Sequence, residues 1–70
     1  MDTIEMIPVT SSNVEAIGYA AGDLYVDFRS GARYRYRAVP RATFEQLLET
    51  DSVGKALNAN VKPLFAYERL

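Results

Sequence analysis

Arg33-Tyr34-Arg35-Tyr36-Arg37-Ala38-Val39-Pro40 alternates cationic and aromatic residues before a proline. Successive side chains of an extended strand point to opposite faces, so Tyr34, Tyr36 and Ala38 share one face and Arg33, Arg35 and Arg37 the other. Three guanidinium groups cannot be buried unpaired in an apolar core, so the tyrosine side must face inward. The stretch predicts a strand with an aromatic underside and a cationic outer surface.

Upstream, Leu24, Val26 and Phe28 alternate with Tyr25, Asp27 and Arg29, the pattern of a second half-buried strand. A two-residue Ser30-Gly31 loop between the two strands would set Phe28, Val26 and Leu24 opposite Arg33, Arg35 and Arg37, turning the arginines inward. A three-residue loop, Ser30-Gly31-Ala32, pairs Phe28 with Tyr34 and Val26 with Tyr36. It also sets Asp27 beside Arg35 and Tyr25 beside Arg37, and is the expected solution. A further strand, Val14 to Ala20, carries Ile17 and Tyr19 on one face. An Ala21-Gly22 turn pairs Tyr19 with Leu24 and Ile17 with Val26. Before it, Ile4 to Val9 reads as an edge strand or its approach, because Pro8 lacks a ladder donor. Thr10-Ser11-Ser12-Asn13 is a cluster of turn and capping residues.

Downstream, Pro40 ends the central strand and suits the start of a helix. Arg41 to Thr50 has Phe44, Leu47 and Leu48 at helical spacing, with Glu45 and Glu49 outward as solvated carboxylates. Asp51 or Ser52 can cap a second short helix whose stripe is Val53, Ala56, Leu57 and Val61. Lys62-Pro63 ends that helix, and Phe65 and Tyr67 share one side of an extended tail. The fold class is therefore α+β: an antiparallel meander sheet of three to four strands, then two short helices packed on one face. Residues 1–70 read as one domain.

Composition narrows the chemistry. The chain has neither cysteine nor histidine, which removes the thiol nucleophile, the disulfide, the commonest metal ligand and the usual general base near neutral pH. The net charge is -1, but residues 29–41 hold Arg29, Arg33, Arg35, Arg37 and Arg41 with no acid, leaving -6 on the remainder. No signal peptide or 18-residue apolar segment is visible, and a cytoplasmic location without a membrane partner is expected.

Val9-Thr10-Ser11-Ser12-Asn13, Ile17-Gly18-Tyr19, Phe28-Arg29-Ser30-Gly31, Tyr34-Arg35-Tyr36, Val39-Pro40, and Ser52-Val53-Gly54-Lys55 followed by Asn58 occur in this order. Carrying these motifs, the chain resembles the KTSC domain from about residue 9 to residue 67. That family is named for its occurrence at the C-terminus of some lysyl-tRNA synthetases, and it also occurs as single-domain bacterial and phage proteins. The resemblance implies no catalytic residue and no cofactor, and the synthetase context suggests RNA. Ala56-Leu57 departs from the family, where aromatics are common, so those positions supply no base-stacking surface.

Two candidate sites follow. Arg29, Arg33, Arg35, Arg37 and Arg41, with Tyr25 as a stacking face, would suit RNA or another polyanion. Ser11, Ser12 and Asn13, joined by Lys55 and Asn58, would form a small polar site, against the plainer reading of a turn whose side chains cap backbone groups. Tyr34 and Tyr36 are read as core, not as a stacking pair. Ser52-Val53-Gly54-Lys55 is too short for a phosphate loop and reads as a helix start. The expected function is a noncatalytic binding module for RNA or another polyanion. The alternative is a protein-interaction module, such as a phage or accessory factor acting on a larger protein. A sheet edge left open predicts weak homodimerisation.

Overall fold

A computed structural model describes residues 4–70. The strands are β1 (Ile7–Pro8), β2 (Val14–Ala20), β3 (Asp23–Phe28), β4 (Arg33–Tyr36) and, after the helices, β5 (Tyr67–Arg69). They form one antiparallel sheet in the order β1-β2-β3-β4-β5. Helices α1 (Arg41–Glu49) and α2 (Val53–Asn60) pack on one face. The meander exceeds the expected three or four strands because the C-terminal tail returns to pair with β4, Tyr36 opposite Tyr67 and Arg35 opposite Glu68.

The β2–β3 hairpin turns at Ala21-Gly22, with Tyr19 opposite Leu24 and Ile17 opposite Val26 as the alternation requires. Both turn residues have positive φ (53° and 82°), the condition for a type I′ turn that follows strand twist. A bulge between Val14 and Ala16 breaks the period of two. It lets Val14, which strict alternation would turn outward, join Ile17 in the core.

The β3–β4 register differs from expectation. Its loop has three residues, but they are Arg29-Ser30-Gly31, closed by Phe28 N–H donating to the Ala32 carbonyl at 2.9 Å. Gly31 takes φ 98°, the left-handed position that such a loop needs. Val26 therefore faces Tyr34, Leu24 faces Tyr36, Tyr25 faces Arg35 and Asp27 faces Arg33. The shift of two positions leaves every side chain on its expected face but changes each neighbour. Sequence alternation cannot detect such a shift, because only the loop's glycine position selects it. At the other end of β4, Ala38 leaves the tyrosine face altogether: its φ is 55°, and its N–H donates to Asp23 Oδ1 at 3.0 Å.

The core joins Val14, Ile17, Leu24, Val26 and Tyr36 from the sheet to Val39, Phe44, Leu47, Val53, Leu57 and Val61. Burying each such aliphatic side chain contributes about 1.5–3 kcal/mol. Leu48, expected on the inner stripe of α1, is instead exposed. The start of α2 also differs. Ser52 is the N-cap but makes no side-chain cap bond, and its own N–H donates to Thr50 Oγ1 at 3.3 Å. Tyr19 braces the helix entry, its hydroxyl donating to the Val39 carbonyl at 2.6 Å while its ring stacks on Phe44.

Candidate nucleic-acid interface

The outer face of the sheet carries the arginine stripe, and its charges are met within the chain. Arg33 grips Asp27 with two hydrogen bonds, Nη2 lying 2.9 Å from Oδ2. That bond holds the Arg33 guanidinium above its usual pKa. Arg35 Nε lies 3.3 Å from both Asp23 Oδ2 and Glu68 Oε1, without hydrogen-bond alignment, so this contact is electrostatic. Arg37 donates to Glu68 Oε1 at 2.8 Å. Tyr25 is half-buried among these pairs, opposite Gly18 and Arg35. Arg41 stands apart at the start of α1, paired with Glu45 and lying 5.7 Å over the Tyr19 ring. The carboxylates invisible to a reading of the stripe alone are Asp23 and Glu68, one on each neighbouring strand.

The opposite face presents a different surface. Where β4 and β5 run on past the helices, an open groove of about 930 Å³ remains. Its aromatic lining is Phe28, Tyr34, Tyr36 and Tyr67. Tyr36 anchors the cluster at 2% exposure, while Tyr67 is 61% exposed. The Tyr67 ring lies 5.5 Å from Tyr34 and 5.8 Å from Tyr36, so the three rings form one contiguous patch. Tyr34 meets Phe28 edge-on at 5.4 Å. Tyr36, read as core, is core; Tyr34, read the same way, is half-buried and opens onto the groove.

Three cations rim these rings: Arg29, Lys62 and Arg69. Lys62, just past α2, holds its ammonium 5.5 Å from the Phe28 ring centroid. Arg69 lies opposite Tyr34 in the β4–β5 ladder. Arg29 is fixed by its Nε donating to the Ser11 carbonyl at 2.8 Å. None of the three pairs with a carboxylate among the described residues, and no acid lines the groove. Burial among the neighbouring phenols raises the pKa of Tyr36, desolvation being the largest cause and Tyr34 and Tyr67 adding to it.

The expected polar site divides. Ser11 Oγ accepts from the N–H groups of Asn13 and Val14 at 3.3 Å, closing the turn. Ser12 and Asn13 are carried to the groove rim. Lys55 and Asn58 are exposed on α2 and do not line the groove. Of the expected polyanion residues only Arg29 reaches it. Lys62, Arg69 and Tyr67 carry no signal of the groove in the sequence: Tyr67 and Arg69 lie on a strand only three residues long, and Lys62 lies in the turn after α2. Among the described residues no group of three or more carboxylates is arranged to hold a metal, and no helix is long and apolar enough to cross a membrane.

The KTSC domain model matches residues 10–65. The chain is 44% identical over 62 residues to a protein of Tsukamurella paurometabola, covering 86% of this chain and 92% of that one. It is 40% identical over 62 residues to an uncharacterized protein of Stutzerimonas stutzeri, covering 86% and 87%. The crystal structure of a KTSC domain protein from Yersinia pestis superposes with a TM-score of 0.90 at 26% identity, covering 97% of this chain and 99% of that one.

Proposed function

The chain belongs to the KTSC domain family, and from that premise we propose that it is a noncatalytic module that binds single-stranded RNA in the aromatic groove. One observation carries the reading: Arg29, Lys62 and Arg69 surround open tyrosine rings, with no carboxylate beside them among the described residues. Single strands are held by cations that track phosphates and by aromatic rings on which bases stack, each stacked base contributing about 1–3 kcal/mol. The groove offers both on one surface. The outer arginine stripe offers cations already engaged by Asp23, Asp27 and Glu68, so phosphates there would have to displace existing partners.

Binding of this kind releases counterions in proportion to the phosphates engaged, at about -0.7 per phosphate in log K against log salt for a single strand. Three groove cations predict a slope near -2. The test is a fluorescence titration of a short unstructured RNA at several salt concentrations, with Lys62→Glu as the groove variant and Arg37→Glu as the outer-face variant. Loss of binding in the first with retention in the second supports the groove. The reverse pattern would return the site to the arginine stripe.

A further inference from the structure

We propose that a second copy of this chain docks antiparallel along β5, with Tyr67 opposite Tyr67 of the second copy. β5 is a free sheet edge. Arg37 N–H donates to the Ala66 carbonyl, and Leu70 N–H to the Arg33 carbonyl. Antiparallel alternation then turns the Glu68 backbone groups toward β4 and those of Tyr67 and Arg69 outward, without sheet partners. Exposed apolar side chains lie on and just after this strand: Tyr67 at 61% and Leu70 at 58%. The other edge, β1, is two residues long and contains Pro8, which cannot extend a ladder.

Charge selects the register. Three symmetric alignments centred within β5 use the outward backbone groups; the one centred on Arg69 sets two guanidinium groups directly opposite and is disfavoured by charge, leaving those centred on Tyr67 and Glu68. Centring on Glu68 sets two carboxylates directly opposite in a close, non-hydrogen-bonded pair, which is destabilising. Centring on Tyr67 lets the two Tyr67 residues exchange backbone hydrogen bonds and sets Glu68 opposite Ala66. It also leaves the Arg69 N–H of each copy to donate to the Phe65 carbonyl of the other, the Phe65 N–H itself being held by the Val61 carbonyl within its own chain. Tyr36 and Tyr67 of one copy then continue into those of the second, joining the two grooves across a two-fold axis.

Because the chain contains no cysteine, introduced thiols report the register directly. Residues facing each other in a hydrogen-bonded antiparallel pair lie about 5.5 Å apart at Cα, within disulfide reach. Under mild oxidation without nucleic acid, Tyr67→Cys gives a covalent dimer at least about tenfold faster than Glu68→Cys. Sedimentation of the unmodified chain shows an average mass rising with concentration. Arg69→Pro, which removes an outward N–H and leaves the β4 hydrogen bonds in place, keeps the circular dichroism spectrum and shifts the chain to monomer. A strict monomer at high concentration, faster cross-linking through Glu68→Cys, or an Arg69→Pro chain that still dimerises would each overturn the proposal. The experiments contain no RNA, so their outcome is independent of what the groove binds.

Discussion

The Tyr67 ring rests 5.5 Å from Tyr34, tilted by 39°, although the two residues come from opposite sides of the helix pair in sequence. This contact extends the aromatic surface of β4 onto β5. Tyr36 beneath is the structural member and Tyr67 above is the exposed one. The two should therefore separate stability from binding. Tyr36→Ala should lower unfolding free energy by about 3–5 kcal/mol, as for other buried aromatics, measured by urea denaturation. Tyr67→Ala should leave the urea midpoint nearly unchanged while weakening single-stranded RNA by about 1–3 kcal/mol.

Alkaline stability follows from the same cluster. The Tyr36 pKa is raised in the folded chain, chiefly by burial, so the fold favours the neutral phenol. That stabilisation is complete below the unfolded value near pH 10 and is lost as pH rises through the higher folded value. Urea midpoints taken on either side of pH ~10 should fall on the alkaline side. In Tyr36→Phe that fall should be shallower; an identical decline would show that Tyr36 is not the responsible group.

The β2–β3 turn stores strain at a residue that gains nothing from it. Ala21 holds φ 53° beside Gly22, and a left-handed conformation costs an ordinary residue about 1–2 kcal/mol. Asparagine tolerates it, and Asn-Gly is the preferred type I′ pair. Ala21→Asn should raise the thermal midpoint, with a gain of about 1 kcal/mol. A lower midpoint would contradict the turn assignment.

The outer ion pairs are surface pairs, and their replacement should be mild. Asp27→Ala should cost on the order of 1 kcal/mol, the upper end for a surface pair because the contact is bidentate, while Arg33, 42% exposed, can be hydrated once unpaired. The same change frees Arg33 and so tests the site from the other side. If the stripe binds RNA, Asp27→Ala should strengthen binding; if the groove does, affinity should stay within about twofold, since the altered charge is on the far face.

The strands and helices were legible because period two and period 3.6 change sharply at Pro40, and because burying arginine is prohibitive. The face of every β4 side chain was legible for the same reason. Neighbours were not. Alternation is blind to a slip of two, so Asp27 was expected beside Arg35 and lies beside Arg33. The bulge at Val14 and Ala16 has no signature in alternation, which would have turned Val14 to solvent. The site was hidden for a topological reason. Arg29, Lys62 and Arg69 are scattered through the sequence: the β3–β4 loop supplies the first, the turn after α2 sets the second against Phe28, and the return of β5 to β4 sets Arg69 opposite Tyr34. The arginine run was conspicuous in sequence, but Asp23 and Glu68, which meet its charge, lie outside the run.

The groove and the arginine stripe are separated by which charge reversal abolishes binding. Titrating labelled single-stranded RNA at low salt against the unmodified chain, Lys62→Glu and Arg37→Glu tests this most directly. The account predicts measurable binding with a salt slope near -2, abolished by Lys62→Glu and retained by Arg37→Glu. No binding at low salt, or binding lost only in Arg37→Glu, would contradict it.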